Sequence, residues 1–200
     1  MNKTYSYPLL VDTVNDLKAL NVPFHLVHVL GWHHPHDGGG GLFTWASEAL
    51  AEADNGLVIS GVASGNGCWQ RCWDGRRIDA RWFGVKADGV ISPISAQIMA
   101  GTYETGTIAG TDDTVPLQAA MNAARELRVP LDLPSGIILV ADMLRAFTSI
   151  YGAAGGTGGH SSGKTGTVIC RTDRVNENSA VIAMAENTTI KNVWVRPKVL

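Results

Sequence analysis

The second half of the sequence is a series of short apolar segments, each followed by Gly, Asn, Asp or Ser. Runs of this length, rich in Val and Ile, are typical of β-strands that are separated by turns. Repeated short strands with one turn each are what a solenoid of stacked coils requires. We therefore expect residues 129–200 to wind into stacked β coils. The segments are VPLDLPSGIILVAD, FTSIYGAAGG, GTVICRT, SAVIAMAEN and TTIKNVWVRP.

The segment directly before these strands predicts an amphipathic helix over 113–127. In GTDDTVPLQAAMNAARELR, Asp112, Asp113 and Thr114 are suited to a helix N-terminus. Pro116 falls in the first turn, where its missing N–H costs nothing. A single apolar stripe consists of Leu117, Ala120, Met121, Ala124 and Leu127. Because an open solenoid end exposes its apolar interior, we expect this helix to cover the first coil as a lid.

The first part of the chain, about residues 8 to 84, predicts a small α+β module. Three runs are strand-like, and VDTVNDLKALNV before them is typical of a short helix that Thr13 or Asp12 could cap. The glycine run 38–41 is expected to be a flexible turn between two strands. The three strand-like runs are FHLVHVLGW, GLFTWAS and GLVISGVAS.

Several of these segments, taken in order, resemble a known family. WFGVKADG, then GTDDTVPLQAAMNAA, then VPLDLPSGIILVAD resemble the opening of the pectate-lyase-like right-handed parallel β-helix of tailed-phage tailspikes. TVNDLKALNV, VLGW, DGGGGLFTW, ADNGLVI and WQRCWDG upstream are similar to the small module that often precedes this β-helix. The resemblance spans about residues 10 to 195. The matching β-helix residues are Phe83, Gly84, Asp88, Gly89, Asp112, Asp113, Thr114, Leu133, Pro134 and Gly136.

The resemblance implies a domain organisation and a set of partners. It implies a virion-attachment module at 1–82, a linker with an insertion and a capping helix at 83–128, and the first coils of a right-handed parallel β-helix at 129–200. The insertion is 90–109, which departs from the family pattern and is expected to be a loop or hairpin. The implied assembly is a homotrimer in the virion tail, synthesised in the host bacterial cytoplasm. Its implied partners are a phage tail or baseplate protein and, through the distal spike, a bacterial surface polysaccharide.

The competing function is a polysaccharide depolymerase, a hydrolase or lyase that acts on capsule or lipopolysaccharide. Glycoside hydrolysis needs two carboxylates across the scissile bond. No spacing in the coil region places two carboxylates on one face, so no catalytic residue is assigned. The chain stops directly after a strand, so we expect that the spike continues or that another chain covers that edge. The carboxylates of the coil region are Asp132, Asp142, Asp173, Glu177 and Glu186.

A nucleotide-binding function is the third possibility, because Gly158–Thr165 fits the phosphate-loop pattern G-x-x-x-x-G-K-[ST]. Such a loop needs a helix directly after its Lys-Thr pair. GTVICRT follows instead, and its residues favour a strand. We therefore expect 152–166 to be a long turn between coils, with no nucleotide or other cofactor.

Other binding functions have weaker support. His33, His34, His36 and Asp37 could hold a transition metal, but Pro35 and the glycines leave their geometry poorly fixed, so a solvated loop tip is favoured. The pair Cys68 and Cys72 has no second pair nearby for zinc, and half-buried side chains are expected there. No metal site is therefore assigned. The three cysteines, which include Cys170, are expected to be reduced thiols.

Composition argues against nucleic acid and against membrane insertion. The net charge is −2, and no basic stripe is present. The Trp- and Arg-rich stretch CWQRCWDGRRIDARWFGVKADG could stack on single-stranded nucleic acid. A strand edge with arginines packed flat on aromatic rings is the favoured interpretation. No segment approaches 18 apolar residues, the length needed to span a bilayer.

Overall fold

The structure is a computed structural model that describes residues 8–21, 24–47, 52–62, 67–92, 107–153, 166–172 and 180–196. It divides into two compact units. Unit 1 comprises residues 1–75 and 81–84, and unit 2 comprises residues 76–80 and 85–200. The described residues are mainly β, with two α-helices and a 3₁₀ turn at Ala80–Phe83.

Unit 1 is a five-stranded sheet with one helix on one face. The strand order is β1-β2-β3-β5-β4, in which β1 pairs parallel with β2 and the other pairs are antiparallel. Sequence patterns predicted three of these strands. They missed β1, whose last three residues were assigned to the helix, whereas β5 lies in the Trp-rich stretch, for which a strand edge was the favoured interpretation. The strands are β1 Leu9–Thr13, β2 Leu26–Gly31, β3 Gly41–Ala46, β4 Val58–Ser60 and β5 Cys68–Arg71.

The helix of unit 1 is α1 Val14–Ala19, and Thr13 is its N-cap. The Thr13 Oγ1 accepts the Asp16 N–H at 3.3 Å, and the Asp16 carboxylate accepts the Thr13 N–H at 2.9 Å. This reciprocal capping identifies Thr13, and not Asp12, as the cap of the helix. The helix and one face of the sheet form the core of unit 1, whose buried residues are Val14, Leu17, Val27, Val29, Phe43, Ile59 and Trp69.

Unit 2 contains three sheets of stacked parallel strands, as the parallel β-helix prediction requires. The orders are β15-β12-β9-β6, β10-β13-β16 and β11-β14, and every pair in them is parallel. Two coils contribute one strand to each sheet, and the described part of the next coil adds β15 and β16 to two of the sheets. The strands are β6 Ile78–Asp79, β9 Leu131–Asp132, β10 Gly136–Val140, β11 Leu144–Ala146, β12 Ile150–Tyr151, β13 Thr167–Arg171, β14 Ile182–Met184, β15 Ile190–Lys191 and β16 Val193–Arg196.

The predicted lid helix is present as α2 Thr114–Leu127. Leu117, Ala120, Met121 and Ala124 are buried, as the apolar stripe predicted. The predicted stripe is wrong at its last member, because Leu127 is 48% exposed. The helix ends at Arg128, which adopts a left-handed conformation with φ of 57°. The left-handed residue ends the helix, and the chain continues into β9.

The insertion 90–109 is based on a hairpin, one of the two predicted forms. Strands β7 Val90–Ser92 and β8 Thr107–Ala109 pair antiparallel, and 93–106 lies outside the described residues. Ile108 packs on a buried cluster. The cluster residues alternate along their strands with Ile138 and Ile169, so they lie on the opposite face of the sheet. The insertion therefore helps to cover that second face, whose cluster residues are Ile137, Leu139, Val168 and Cys170.

The phosphate-loop match, Gly158–Thr165, lies outside the described residues. The segment that follows it is described, and it is the strand β13 Thr167–Arg171. A nucleotide site would require a helix directly after the loop. A strand at this point agrees with the other prediction, in which 152–166 connects two coils.

Candidate functional site

The first coil of unit 2 has three strand edges that a preceding coil would normally pair, and each is covered in a different way. At β9 the cover is another strand, since β6 pairs with it in parallel register. The Ile78 N–H donates to the Pro130 carbonyl at 3.0 Å. This edge therefore meets the requirement that buried backbone groups be hydrogen bonded.

At β10 the cover consists of two single backbone contacts. The Gly89 N–H donates to the Ile137 carbonyl, and the Asp113 N–H donates to the Leu139 carbonyl, both at 2.8 Å. The Ala141 N–H after the strand donates to the Thr114 Oγ1 at 2.7 Å. The start of α2 thus completes the edge of the strand.

At β11 the cover is a side chain. The Arg145 N–H donates to the Gln118 Oε1 at 2.8 Å, and the Gln118 Nε2 donates to the Arg145 carbonyl at 3.1 Å. The primary amide of Gln118 therefore replaces the peptide of a neighbouring strand. Sequence reasoning missed this residue, because the pattern of α2 shows only that Gln118 is polar.

Two aspartates of the resemblance motif stabilise this closure. The Asp113 carboxylate is buried and accepts the N–H groups of Lys86 and Ala87, at 3.0 and 2.9 Å. Of the residues predicted for the start of α2, Asp113 is the N-cap but its side chain makes no capping hydrogen bond, whereas the Asp112 carboxylate accepts the Thr114 N–H at 3.0 Å. The Asp88 carboxylate accepts the N–H and the hydroxyl of Thr111, both at 2.8 Å. Burial alone would raise the pKa of Asp88, but these donors and the Lys86 charge lower it below its ordinary value.

The glycines of the same motif are required by close backbone approach. A Cβ on Gly89 would lie 2.6 Å from the Ile137 carbonyl oxygen. Gly136 has φ of 126°, and a Cβ there would lie 2.3 Å from the Ala87 carbonyl oxygen. Part of the family-like pattern therefore closes one end of the solenoid, namely Asp88, Gly89, Asp113, Thr114 and Gly136.

In unit 1, Asp37 organises the loop that contains His33, His34 and His36 through hydrogen bonds to the backbone. Its carboxylate accepts the N–H groups of Trp32, His33, His34 and Gly39, at 2.7–3.2 Å. Burial raises the pKa of Asp37, but the four backbone donors outweigh burial and lower the pKa below its ordinary value.

The loop geometry is therefore well fixed, contrary to the expectation from Pro35 and the glycines. The His33 Nε2 lies 2.8 Å from the Gly84 carbonyl oxygen. Within the described ranges, no three His, Cys, Asp or Glu side chains are placed to hold a metal ion. The two nearby cysteines are not both half-buried as predicted, since Cys68 is buried and Cys72 is exposed.

Arg71 is a buried structural cation in the Trp-rich stretch. Its guanidinium lies over the rings of Phe43 and Trp82, 4.6 and 4.8 Å from their centroids. It also donates to the carbonyls of Gly56 and Gly39, at 3.0 and 2.9 Å. The predicted stacking of arginine on aromatic rings is confirmed, but the predicted position at a sheet edge is wrong, because β5 lies between β3 and β4.

The parallel register of unit 2 brings two carboxylates together that the sequence separates. Asp79 pairs with Asp132, and Tyr151 pairs with Asp132 on its other side. Arg77 forms an ion pair with Asp132 at 2.9 Å and lies over the Tyr151 ring. Burial and the Asp79 charge raise the pKa of Asp132 above its ordinary value, although Arg77 opposes the change.

Among the described residues, the other carboxylates of the coil region do not lie beside Asp79 and Asp132, which we call the carboxylate row. Asp142 is exposed and its Oδ1 lies 3.8 Å from Arg171, and Glu186 is exposed in a turn. Asp173 and Glu177 lie outside the described residues.

None of the helices in the described ranges combines the length and the apolar composition needed to cross a bilayer.

The fold defines a class of protein: a parallel β-helix closed at its first coil by a helix, with a small α/β sheet unit encoded before it. Residues 10–74 match the family described as phage tail protein small four-stranded β-sheet domain. That segment is therefore similar to a phage tail domain. A search of curated proteins gave no sequence match.

Solved structures extend the similarity to nearly the whole chain. The tailspike protein of Acinetobacter phage vB_ApiP_P1 matches with a TM-score of 0.64 and 15% identity, over 97% of this chain and 30% of the other. WceF of Pantoea stewartii, a glycan biofilm modifying enzyme with a tailspike-like parallel β-helix fold, matches with a TM-score of 0.62 and 20% identity, over 97% and 28%.

A third structure is a tailspike protein of Acinetobacter baumannii bacteriophage Fri1, described as a capsular polysaccharide depolymerase. It matches with a TM-score of 0.58 and 16% identity, over 96% of this chain and 38% of the other. The chain thus spans less than two fifths of the length of these three proteins. The predicted resemblance to the N-terminal segment of a tailspike is confirmed, as is the mainly β fold with a parallel β-helix.

Proposed function

We propose that this chain is the particle-proximal part of a phage tailspike. In this proposal the module at 1–82 docks on a tail or baseplate protein of the virion. The segment 83–128 links the module to the lid helix, and residues 129–200 begin the β-helix. The spike is a homotrimer made in the cytoplasm of the host bacterium, and its distal part binds a bacterial surface polysaccharide.

One observation carries the proposal: a segment that matches a phage tail domain is followed in the same chain by a β-helix whose first coil is closed. A closed first coil allows coils to be added only after the last one. In β14 and β16, Met184 and Val195 are 46% and 41% exposed, whereas their strand partners Ala146 and Ile169 are fully buried. These apolar side chains are where a further coil would stack.

The attachment role is tested by binding to tail particles that were assembled without their spikes. The 200-residue chain is fluorescently labelled, mixed with such particles and sedimented. We expect saturable co-sedimentation with spike-free particles and none with intact particles, whose docking sites are already occupied. Equal binding to both, or none to either, would count against attachment through this chain.

The alternative function, a polysaccharide depolymerase, is favoured by the pairing of Asp79 with Asp132. Neighbouring strands lie about 4.8 Å apart, and retaining glycosidases hold their two carboxyl groups about 5–5.5 Å apart. A raised pKa, as at Asp132, is what a general acid needs.

This alternative is tested by incubating the chain with host capsule or lipopolysaccharide and measuring released reducing ends or unsaturated uronates. Activity that is lost in Asp132→Asn, with unchanged folding, would support the enzyme. Absence of activity in the unmodified chain would reject catalysis within these residues.

A further inference from the structure

Two residues of the resemblance motif, Phe83 and Gly84, take no part in the closure of the first coil. They lie where the chain passes between the two units. Residues 76–80 belong to unit 2, residues 81–84 belong to unit 1, and the chain from residue 85 onward belongs to unit 2 again. The chain therefore passes from one unit to the other three times between residues 75 and 85. We name residues 81–84 the anchor loop.

The side chains of the anchor loop are held within unit 1. Phe83 is 3% exposed, and a Cβ on Gly56 would overlap its ring. The guanidinium of Arg71 lies 4.8 Å from the centroid of the Trp82 ring, and the Trp73 ring stands edge-on to the same ring at 6.0 Å. Stacking of a cation and an edge-on aromatic pair both add to the stabilisation that burial provides. The loop is therefore fixed by specific contacts.

The backbone of the anchor loop is held by the loop that Asp37 organises. The His33 Nε2 lies 2.8 Å from the Gly84 carbonyl oxygen. Because a carbonyl oxygen only accepts, this ring nitrogen carries the proton and donates. At the other end of the anchor loop, a Cβ on Gly39 would lie 2.6 Å from the Arg81 carbonyl oxygen. Both ends of the anchor loop thus contact the same well-fixed loop of unit 1.

The chain on either side of the anchor loop is fixed in unit 2. Ala80 is fully buried before it, and Val85 is buried after it. The Val85 N–H donates to the Ala80 carbonyl at 3.4 Å, which ties the two flanks together. The preceding strand β6 pairs with β9, and the following N–H groups of Lys86 and Ala87 donate to the Asp113 carboxylate. Both flanks therefore belong to the closure of the first coil.

This arrangement differs from an ordinary connection between domains. Domain boundaries commonly lie in exposed, flexible segments that few contacts cross, and relative motion of the domains is then expected. Here, unfolding of unit 1 would remove the partners of the anchor loop and expose Phe83. Unfolding of unit 2 would free the two flanks. A loop whose ends are already held together loses less conformational entropy when it is ordered, so each unit stabilises the other through this segment.

We propose that the anchor loop couples the folding of the two units, so that the module and the first coils of the β-helix open together. The coupling itself requires no partner of the module. One consequence rests on the proposed function: a spike that is docked through its module would be retained by the stability of both units.

The test asks whether a destabilising change in unit 2 lowers the stability of unit 1 in the 200-residue chain. Ile169→Val trims a fully buried side chain of β13. Urea unfolding of unit 1 is followed by tryptophan fluorescence in a Trp194→Phe background, because the other five tryptophans lie in unit 1. We expect Ile169→Val to lower the midpoint of the fluorescence transition by roughly 0.2–1 M urea.

The uncoupling variant is Phe83→Ala, and the matched control is Phe43→Ala. Both remove a buried ring of unit 1, but Phe43 belongs to the core of the sheet. We expect Ile169→Val to leave the fluorescence midpoint unchanged in the Phe83→Ala background and to lower it in the Phe43→Ala background. If the alanine variants do not fold, Phe83→Leu and Phe43→Leu replace them, and the shift should be smaller with Phe83→Leu.

Two results would overturn the anchor loop. The first is an unchanged midpoint when Ile169→Val is made in the otherwise unmodified chain, because unit 1 is then independent of unit 2. The second is an equal shift in the Phe83→Ala and Phe43→Ala backgrounds, because another segment then carries the coupling. Co-sedimentation with spike-free particles tests attachment separately: a coupled chain that does not bind them overturns attachment and leaves the anchor loop standing.

Discussion

Replacing Leu117 by Asp tests whether α2 is the lid of the β-helix. Leu117 is fully buried in the middle of the stripe that faces the first coil. Asp at this position removes the apolar side chain and places a carboxylate over the solenoid interior. We expect the variant to lose stability and to aggregate, because the open end of the coils would become accessible to other chains.

The magnitude follows from the burial of Leu117. Removing a buried leucine costs about 2–5 kcal/mol, since transfer and cavity effects add. A buried charge without a partner adds to this cost. We therefore expect a loss of at least about 3 kcal/mol, a large part of the about 5–15 kcal/mol by which native proteins are stable.

The assay is urea unfolding followed by circular dichroism, with light scattering to detect aggregation. The matched control is Val115→Asp, on the same helix but 79% exposed. It lies in the first turn, where a negative charge is favourable by about 0.3–1 kcal/mol. If Leu117→Asp were as soluble and as stable as Val115→Asp, the lid would be refuted.

Three further substitutions test the closure, the module and the carboxylate row. Gln118→Ala removes both hydrogen bonds to the Arg145 backbone and should cost about 1–2 kcal/mol in urea unfolding; an unchanged midpoint would contradict the strand-edge role. Asp37→Asn should cost about 1–3 kcal/mol at neutral pH. Folding lowers the pKa of Asp37, so the stability that its carboxylate contributes is present above the ordinary pKa and is lost as pH falls through the pKa of the folded state. Asp37→Asn should therefore lose less stability than the unmodified chain over this acidic range. Asp132 has a raised pKa, so the unmodified chain should gain stability as pH falls through the folded pKa, and Asp132→Asn should lack this gain in thermal melts across mildly acidic pH.

Local patterns predicted much of the fold. The apolar stripe of α2, the caps near Thr13 and Asp112, and the short strands of the coils depend on neighbours a few residues apart, so the sequence displays them directly. The errors occur where long-range packing decides. Leu127 continues the stripe in sequence but is exposed, since it is the last residue of the helix and no further turn packs beyond it.

The sequence by itself determined the order of the parts: a small α+β module, a capped amphipathic helix and a run of short strands with the residues of a tailspike-like closure. The tertiary structure alone decided which distant residues meet. Gln118 completes the edge of β11, and Asp79 stands beside Asp132 across more than fifty residues of sequence. The physical reason is strand register, which is fixed by the packing of whole coils and which no short stretch of sequence encodes.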